Sequence, residues 1–295
     1  MTWTLSVISA NTEYNLSDNQ DYLLTGIDGI GAAPVVRISE RGPMQHGESD
    51  LGYRLQPRNI ILAVMAKGGD EAAWFARRNT LMTIFRSSDS PLKLRITSGE
   101  MVRQIDCYLN GTMEMTPEVG LVPGWQRVGI ELYAPDPTWY DPDGASHVFM
   151  LGGGQAMNVP LAVPWQVGAS AIDQSIVVAY AGSWDAYPTI LIDGPVTGLL
   201  VQNNTLGDKL DFTGVTIPAG ETYVIDCRYG YKTVIRQSDG ANRIQDLTAD
   251  SNLATFRVGA HPEPLDGVNS LRVKGTGITA GTRVVIQYKP RYVGV

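Results

Sequence analysis

Ala134-Pro135-Asp136-Pro137-Thr138-Trp139-Tyr140-Asp141-Pro142-Asp143-Gly144 divides this 295-residue chain. Three prolines within eight residues lack backbone donors and hold φ fixed, so no regular ladder runs through them. The segment reads as a linker between two domains, 1–143 and 144–295, each long enough to bury its own core.

Upstream of it, Trp125-Gln126-Arg127-Val128-Gly129-Ile130-Glu131-Leu132-Tyr133 alternates at the period of a strand with one face buried, as do 2–9 and 33–39. Within 52–66, Arg58-Asn59-Ile60-Ile61-Leu62-Ala63-Val64-Met65 is an apolar run rich in branched side chains and predicts a central strand. Gly68-Gly69 ends it, and Asp70 is placed to cap a helix whose first turn carries Glu71. Trp74, Phe75, Leu81, Met82 and Phe85 then recur at helical spacing, which predicts one long helix near 70–87 with a single apolar stripe. Pro91 opens a strand with Leu92, Leu94 and Ile96 on one face. Residues 101–109 and 112–116 flank Asn110-Gly111, the dipeptide suited to a two-residue type I′ turn, so a hairpin is expected across 101–116.

Downstream of the linker no helical period is sustained. Strand candidates recur instead at 146–151, 160–167, 174–180, 188–193, 196–202, 208–213, 221–227, 231–236, 254–258, 268–274 and 282–289. Turn residues such as Asp193-Gly194-Pro195 and Pro218-Ala219-Gly220 separate them, the spacing of a β-sandwich or jelly roll. The fold class read from the sequence is mainly β: an N-terminal β domain with one α-helix and a long hairpin, followed by a C-terminal β-sandwich. The content of 32 Gly and 17 Pro, with only 18% charged residues, agrees with a turn-rich folded chain.

Charge and motifs narrow the function by exclusion. With 23 Lys and Arg against 30 Asp and Glu, the net charge is −7 and no basic run offers a grip on phosphates. The acidity is concentrated upstream, 12 basic against 18 acidic residues in 1–150 and 11 against 12 in 151–295. Cys107 and Cys227 lie 120 positions apart, one per half, and are expected reduced in the cores rather than in a disulfide framework. The N-terminus lacks a signal-peptide pattern and no apolar run is long enough to span a bilayer, so no membrane association is expected. His46, His147 and His261 are isolated from one another and from cysteine, so no metal site is expected. Asp141-Pro142-Asp143-Gly144 lacks the later ligands of a calcium loop, and Gly152-Gly153-Gly154 lacks the Lys-Ser/Thr of a phosphate loop. No Gly-x-Ser-x-Gly elbow occurs. No catalytic residue and no cofactor are therefore assigned, and a non-enzyme is expected. Trp165, Tyr180, Trp184 and Tyr187 cluster in the sequence and are either core residues or contacts for a glycan, which keeps a carbohydrate-binding adhesin module as the alternative function.

Taken in order, these features resemble a known family. A one-helix β domain, then Ala134-Pro135-Asp136-Pro137-Thr138-Trp139-Tyr140-Asp141-Pro142, then a sandwich opening on Tyr187-Pro188-Thr189-Ile190-Leu191-Ile192-Asp193-Gly194-Pro195-Val196, is similar to the distal tail proteins of long-tailed, non-contractile bacteriophages. His46-Gly47, Arg58-Asn59-Ile60, Arg78-Asn79-Thr80-Leu81 and Pro91-Leu92-Lys93-Leu94 carry the likeness in the first half. Asn203-Asn204-Thr205-Leu206-Gly207, Ile217-Pro218-Ala219-Gly220-Glu221-Thr222 and Gly267-Val268-Asn269-Ser270-Leu271 carry it in the second. Residues 145–187 match least well. The resemblance implies a virion structural protein. Its N-terminal belt domains would close a homo-oligomeric ring, typically a hexamer, with galectin-like sandwiches pointing outward. It further implies the tail tube protein and the tail hub as partners, and a lumen through which DNA passes without specific binding. Synthesis and assembly would take place in the cytoplasm of the bacterial host.

Overall fold

The computed structural model describes residues 3–115, 125–150 and 171–295. The chain forms two compact units, one of Met1–Pro142 together with Tyr292–Val295 and one of Asp143–Arg291.

The first unit contains β1 (Thr4–Ser9), β2 (Thr12–Asn15), β3 (Tyr22–Asp28), β4 (Val35–Glu40), β5 (Ser49–Leu55), β6 (Arg58–Lys67), α1 (Glu71–Ile84), β7 (Leu92–Ser98), β8 (Met101–Leu109), β9 (Trp125–Ala134) and β10 (Trp139–Tyr140). Seven strands run in the order β2-β1-β7-β8-β9-β6-β3, every neighbour antiparallel. The strand alternation sorts side chains as the period-2 reading requires. Ile60, Leu62, Val64 and Ala66 of β6 and Val128, Ile130, Leu132 and Ala134 of β9 are buried in one core with Leu5, Leu94, Ile105 and Cys107. Ile61, on the opposite face, is half exposed. Each large aliphatic side chain so buried stabilises by about 1.5–3 kcal/mol, which commits β6 to a central position.

Helix α1 begins where the capping chemistry places it. The Asp70 carboxylate accepts the Ala73 N–H at 2.7 Å, with Glu71 in the first turn. Gly68 is required just before it, because a Cβ there would lie 2.5 Å from the Trp74 backbone nitrogen.

The hairpin is placed differently from the sequence expectation. β7 and β8 form it, from Ser98 opposite Met101 to Leu92 opposite Cys107, with Gly99-Glu100 as the turn and Gly99 at φ +60°. At Asn110-Gly111 only the glycine has positive φ, +70°, whereas a type I′ turn needs it at both positions. Instead the Asn110 N–H donates to the Glu131 carbonyl at 2.8 Å, its side chain donates to the Glu131 carboxylate, and Glu114 bridges Gly129, so 110–114 runs beside β9. Competition from β9 for these backbone groups is the reason the local turn signal fails.

The proline-rich stretch is also more than a connector. Thr138, Trp139 and Tyr140 are buried, and the Thr138 N–H and hydroxyl both donate to the Asp136 carboxylate. Tyr140 lies opposite Gln104 of β8, and its hydroxyl donates to Asp106 at 2.6 Å while accepting from Gln104 at 2.7 Å. Prolines prevent a long strand but leave room for the two residues of β10.

The second unit contains β11 (Ala145–Met150), β12 (Ala171–Ala179), β13 (Thr189–Asp193), β14 (Val196–Asn203), β15 (Asp208–Asp211), β16 (Thr216–Ile217), β17 (Thr222–Asp226), β18 (Thr233–Arg236), β19 (Val268–Thr276) and β20 (Arg283–Tyr288). One five-stranded sheet runs β11-β20-β13-β17-β18, and the other runs β12-β19-β14-β15 with β16 beside β14. Ile190, Ile225, Val234 and Ile286 from the first sheet share one core with Ile172, Val201, Leu210 and Val273 from the second, which makes the unit a β-sandwich. The expected strand at 254–258 is absent: Thr255 and Phe256 close turns on Asn252, and Val258 alone bridges Ala186. The expected strand at 160–167 lies outside the described residues. Among the described residues, no group of three or more His, Cys, Asp or Glu could hold a metal ion, and no helix is long and apolar enough to cross a membrane.

Candidate assembly surface

In the first unit, β4 and β5 form a sheet of their own, paired from Val35 opposite Leu55 to Glu40 opposite Ser49, with a bulge between Ile38 and Ser39. Its base is tied down by the Ala33 N–H to Val293 and the Gln56 N–H to Pro34. Beyond the base, Val35, Val36, Ile38, Leu51 and Tyr53 are all exposed, and Met44 near the tip is 93% exposed. The Arg37–Asp50 pair at 2.9 Å joins the two strands, with the Arg37 guanidinium 5.6 Å from the Tyr53 ring centre. Both ions of that pair are largely solvated, so it contributes at most about 1 kcal/mol. A lone two-stranded hairpin is marginally stable in water, and this one presents branched and aromatic side chains to solvent and, among the described residues, has no third strand beside it. Such a surface is suited to burial against another chain.

Beneath the arm, Arg58 is 1% exposed and four backbone carbonyls surround it. Nε donates to Pro137 at 2.9 Å, Nη1 to Gly29 at 2.6 Å and Gly31 at 2.7 Å, and Nη2 to Val293 at 2.7 Å. Burial pulls its pKa below the ordinary arginine value, yet the guanidinium remains charged. One side chain thereby fixes the 29–31 turn, the proline-rich stretch and the C-terminal residues at the foot of the arm. The only sequence signal was an arginine opening an apolar run. Nearby, the last strand, β21 (Arg291–Tyr292), brings Tyr292 to β10, and the Arg103 guanidinium lies 3.4 Å from the Tyr292 ring centre.

The helix stripe divides lengthwise. Leu81, Ile84 and Phe85 enter the core and Trp74 is half-buried, whereas Phe75 and Met82, one heptad apart, are 41% and 43% exposed. Phe75 packs edge-on against Trp74, with ring centres 4.5 Å apart. Phe75 and Met82 stand together at one margin of the stripe, and this line is a second exposed apolar patch on this unit.

The candidate glycan aromatics are not brought together. Tyr180 is buried, its hydroxyl donating to the Trp184 carbonyl and accepting from the Arg291 N–H, both at 2.7 Å. Trp184 is half-buried in that arrangement. Tyr180 is therefore a core residue and offers no face to a sugar. Trp165 lies outside the described residues. Tyr187 is half-buried and faces a residue the sequence reading did not single out, Tyr229, with rings edge-on at 4.5 Å and hydroxyls 3.1 Å apart.

The architecture now has a match. SPP1 Dit (gp 19.1), described as a paradigm of the hub adsorption apparatus of phages infecting Gram-positive bacteria, superposes at a TM-score of 0.62 over 97% of this chain and 98% of its own, at 12% identity. The fold is that of a phage distal tail (Dit) protein. A chain of the phage P2 baseplate in its activated conformation with Ca superposes at 0.52 over the full length of both, at 9% identity. No protein-family model matches the sequence, and a search of curated proteins returns no match. At these identities the likeness is one of fold.

Proposed function

We propose that this chain is a structural, non-enzymatic component of a phage tail, forming a six-membered ring at the distal end that joins tube to hub and lets DNA pass. Likeness to a Dit protein over 97% of this chain and 98% of the other carries the reading. The exposed β4–β5 arm supports it, because a cyclic ring needs an unlike pair of surfaces on each subunit, and the arm and the Phe75–Met82 line are two apolar patches in one unit. Charge supports it as well. Six copies at −7 each would carry −42, and a lumen poor in Lys and Arg lets a duplex slide without being held by its phosphates.

Negative-stain microscopy and light scattering on the purified chain test this. Six-fold rings of about six times 32.0 kDa are expected. A ring whose pore is lined with Lys and Arg would contradict the DNA-passage part of the reading while leaving the assembly part intact.

A further inference from the structure

In the second unit, the loop 227–232 between β17 and β18 reads Cys-Arg-Tyr-Gly-Tyr-Lys, and both of its tyrosines face solvent, Tyr229 at 69% and Tyr231 at 60% exposure. Exposed aromatics in a loop usually gain nothing from order, yet each of these is held against a cation. The Lys232 ammonium lies 4.6 Å from the Tyr187 ring centre and 4.8 Å from that of Tyr229, and donates to the Cys227 carbonyl at 2.5 Å. The Arg228 guanidinium lies 4.6 Å from the Tyr231 ring centre and is held by Asp226 through Nε at 2.9 Å and Nη2 at 2.6 Å. Lys232 adopts φ +47°, a left-handed conformation a side chain of this size rarely takes without a compensating reason. The N–H groups of Tyr231 and Lys232 both donate to the Arg228 carbonyl, completing the turn.

Lys232 also lines an open pocket of about 370 Å³, together with Ile244, Leu247, Thr248, Ser251 and Leu253. That volume lies in the range of small-molecule sites. The loop thus offers two ordered rings, each with a cation against it and most of its surface open. Beside them stand the remaining guanidinium and ammonium donors and two hydroxyls. A pyranose needs this combination: its C–H face packs on an aromatic ring, and its hydroxyls pair with fixed donors and acceptors at the rim. A protein surface would be served equally by a flat apolar patch, and a phosphate by unpaired cations. Here Asp226 pairs with Arg228, and the Lys232 ammonium is taken up by the Cys227 carbonyl and the Tyr187 and Tyr229 rings, which favours an uncharged ligand.

We propose that Tyr187, Tyr229 and Tyr231, with Arg228, Lys232 and the adjoining cavity, form a binding platform for a neutral saccharide of hexose or N-acetylhexosamine units. The site lies wholly within the sandwich and does not depend on ring formation, so a monomer that bound sugar would overturn the ring reading and leave this one standing. The test is saturation-transfer NMR and titration of the full chain with oligosaccharides of glucose, galactose and N-acetylglucosamine, at low and high salt. Millimolar or tighter binding that is insensitive to salt is expected, weakened by about tenfold or more in Tyr229→Ala and in Tyr231→Ala. Trp184→Phe, away from the loop, should bind as the wild type does. Unchanged circular dichroism in the two alanine variants separates loss of contact from loss of fold. Absence of binding to all three oligosaccharide series, or binding that both alanine variants retain, overturns the proposal. So does binding confined to polyanions and abolished by salt.

Discussion

Two hairpins of the first unit, β7–β8 and β4–β5, have similar chemistry and opposite fates. β7–β8 places Leu92, Leu94, Ile96, Ile105 and Cys107 in the core, whereas β4–β5 leaves Val35, Val36, Ile38, Leu51 and Tyr53 in water. Both are antiparallel ladders of branched and aromatic residues, so propensity does not separate them. What separates them is cover. β7 is flanked by β1 and β8, and both hairpin strands share one core with α1 and β6, while among the described residues β4 and β5 pair with each other and no third strand. A strand exposed in this way is stable in isolation only at a cost in free energy, and the proposed resolution is a second copy of the chain. The comparison predicts that substitutions in the covered hairpin act on folding and substitutions in the arm act on assembly.

The largest effect is expected in the covered hairpin. Leu94→Ala should cost about 2–5 kcal/mol in denaturant unfolding, because the side chain is fully buried and leaves a cavity. Next comes the foot of the arm. Arg58→Met keeps the bulk but strips donors from four carbonyls, and should cost about 3 kcal/mol or more while loosening the arm's base, read as faster amide exchange at Ala33 and Gln56. A small loss in this variant would show that water replaces the guanidinium and that the arm does not need its clamp. In the arm itself, Ile38→Asp with Leu51→Asp should change unfolding of the separated chain by no more than about 0.5 kcal/mol, since both side chains are already exposed.

The smallest effect belongs to the sandwich and serves as a control. His147 stacks on Tyr288, its Nε2 3.1 Å from the tyrosine hydroxyl, and burial lowers its pKa below the ordinary 6.5. A depressed folded value means the unfolded chain binds the proton more readily. Stability is then full above about pH 6.5 and falls as the pH drops through the folded pKa. His147→Gln should flatten that slope in acid unfolding curves without touching assembly. A ring that came apart in step with this slope would tie assembly to the wrong unit.

Much of this arrangement was legible in the residues, and the failures have a common cause. Ile60 to Ala66, the Asp70 cap and the short strands between turn residues were readable because their signals are local: periodicity, capping and φ preference. Asn110-Gly111 misled because pairing is decided by which neighbour competes for the backbone, and Gly99-Glu100 and β9 outcompeted it. Phe75 and Met82 share the helical spacing of Leu81 and Phe85, and only the packed helix shows which line faces the core. Arg58 was visible as a charge at the head of an apolar run, but its partners at 29, 31, 137 and 293 are distant in sequence. Tyr229 and Tyr231 carry no signal in the sequence, because what holds them, the left-handed Lys232 against Tyr229 and the Asp226-paired Arg228 against Tyr231, is set by the folded loop.

The most direct test of the central claim, that the exposed arm is a subunit contact, is sedimentation of the full chain beside the Ile38→Asp, Leu51→Asp variant over a range of concentrations. The account predicts a wild-type species several times 32.0 kDa that the double substitution reduces to a folded monomer. A wild-type chain that stays at 32.0 kDa at every concentration, or a variant that assembles as the wild type does, would contradict it.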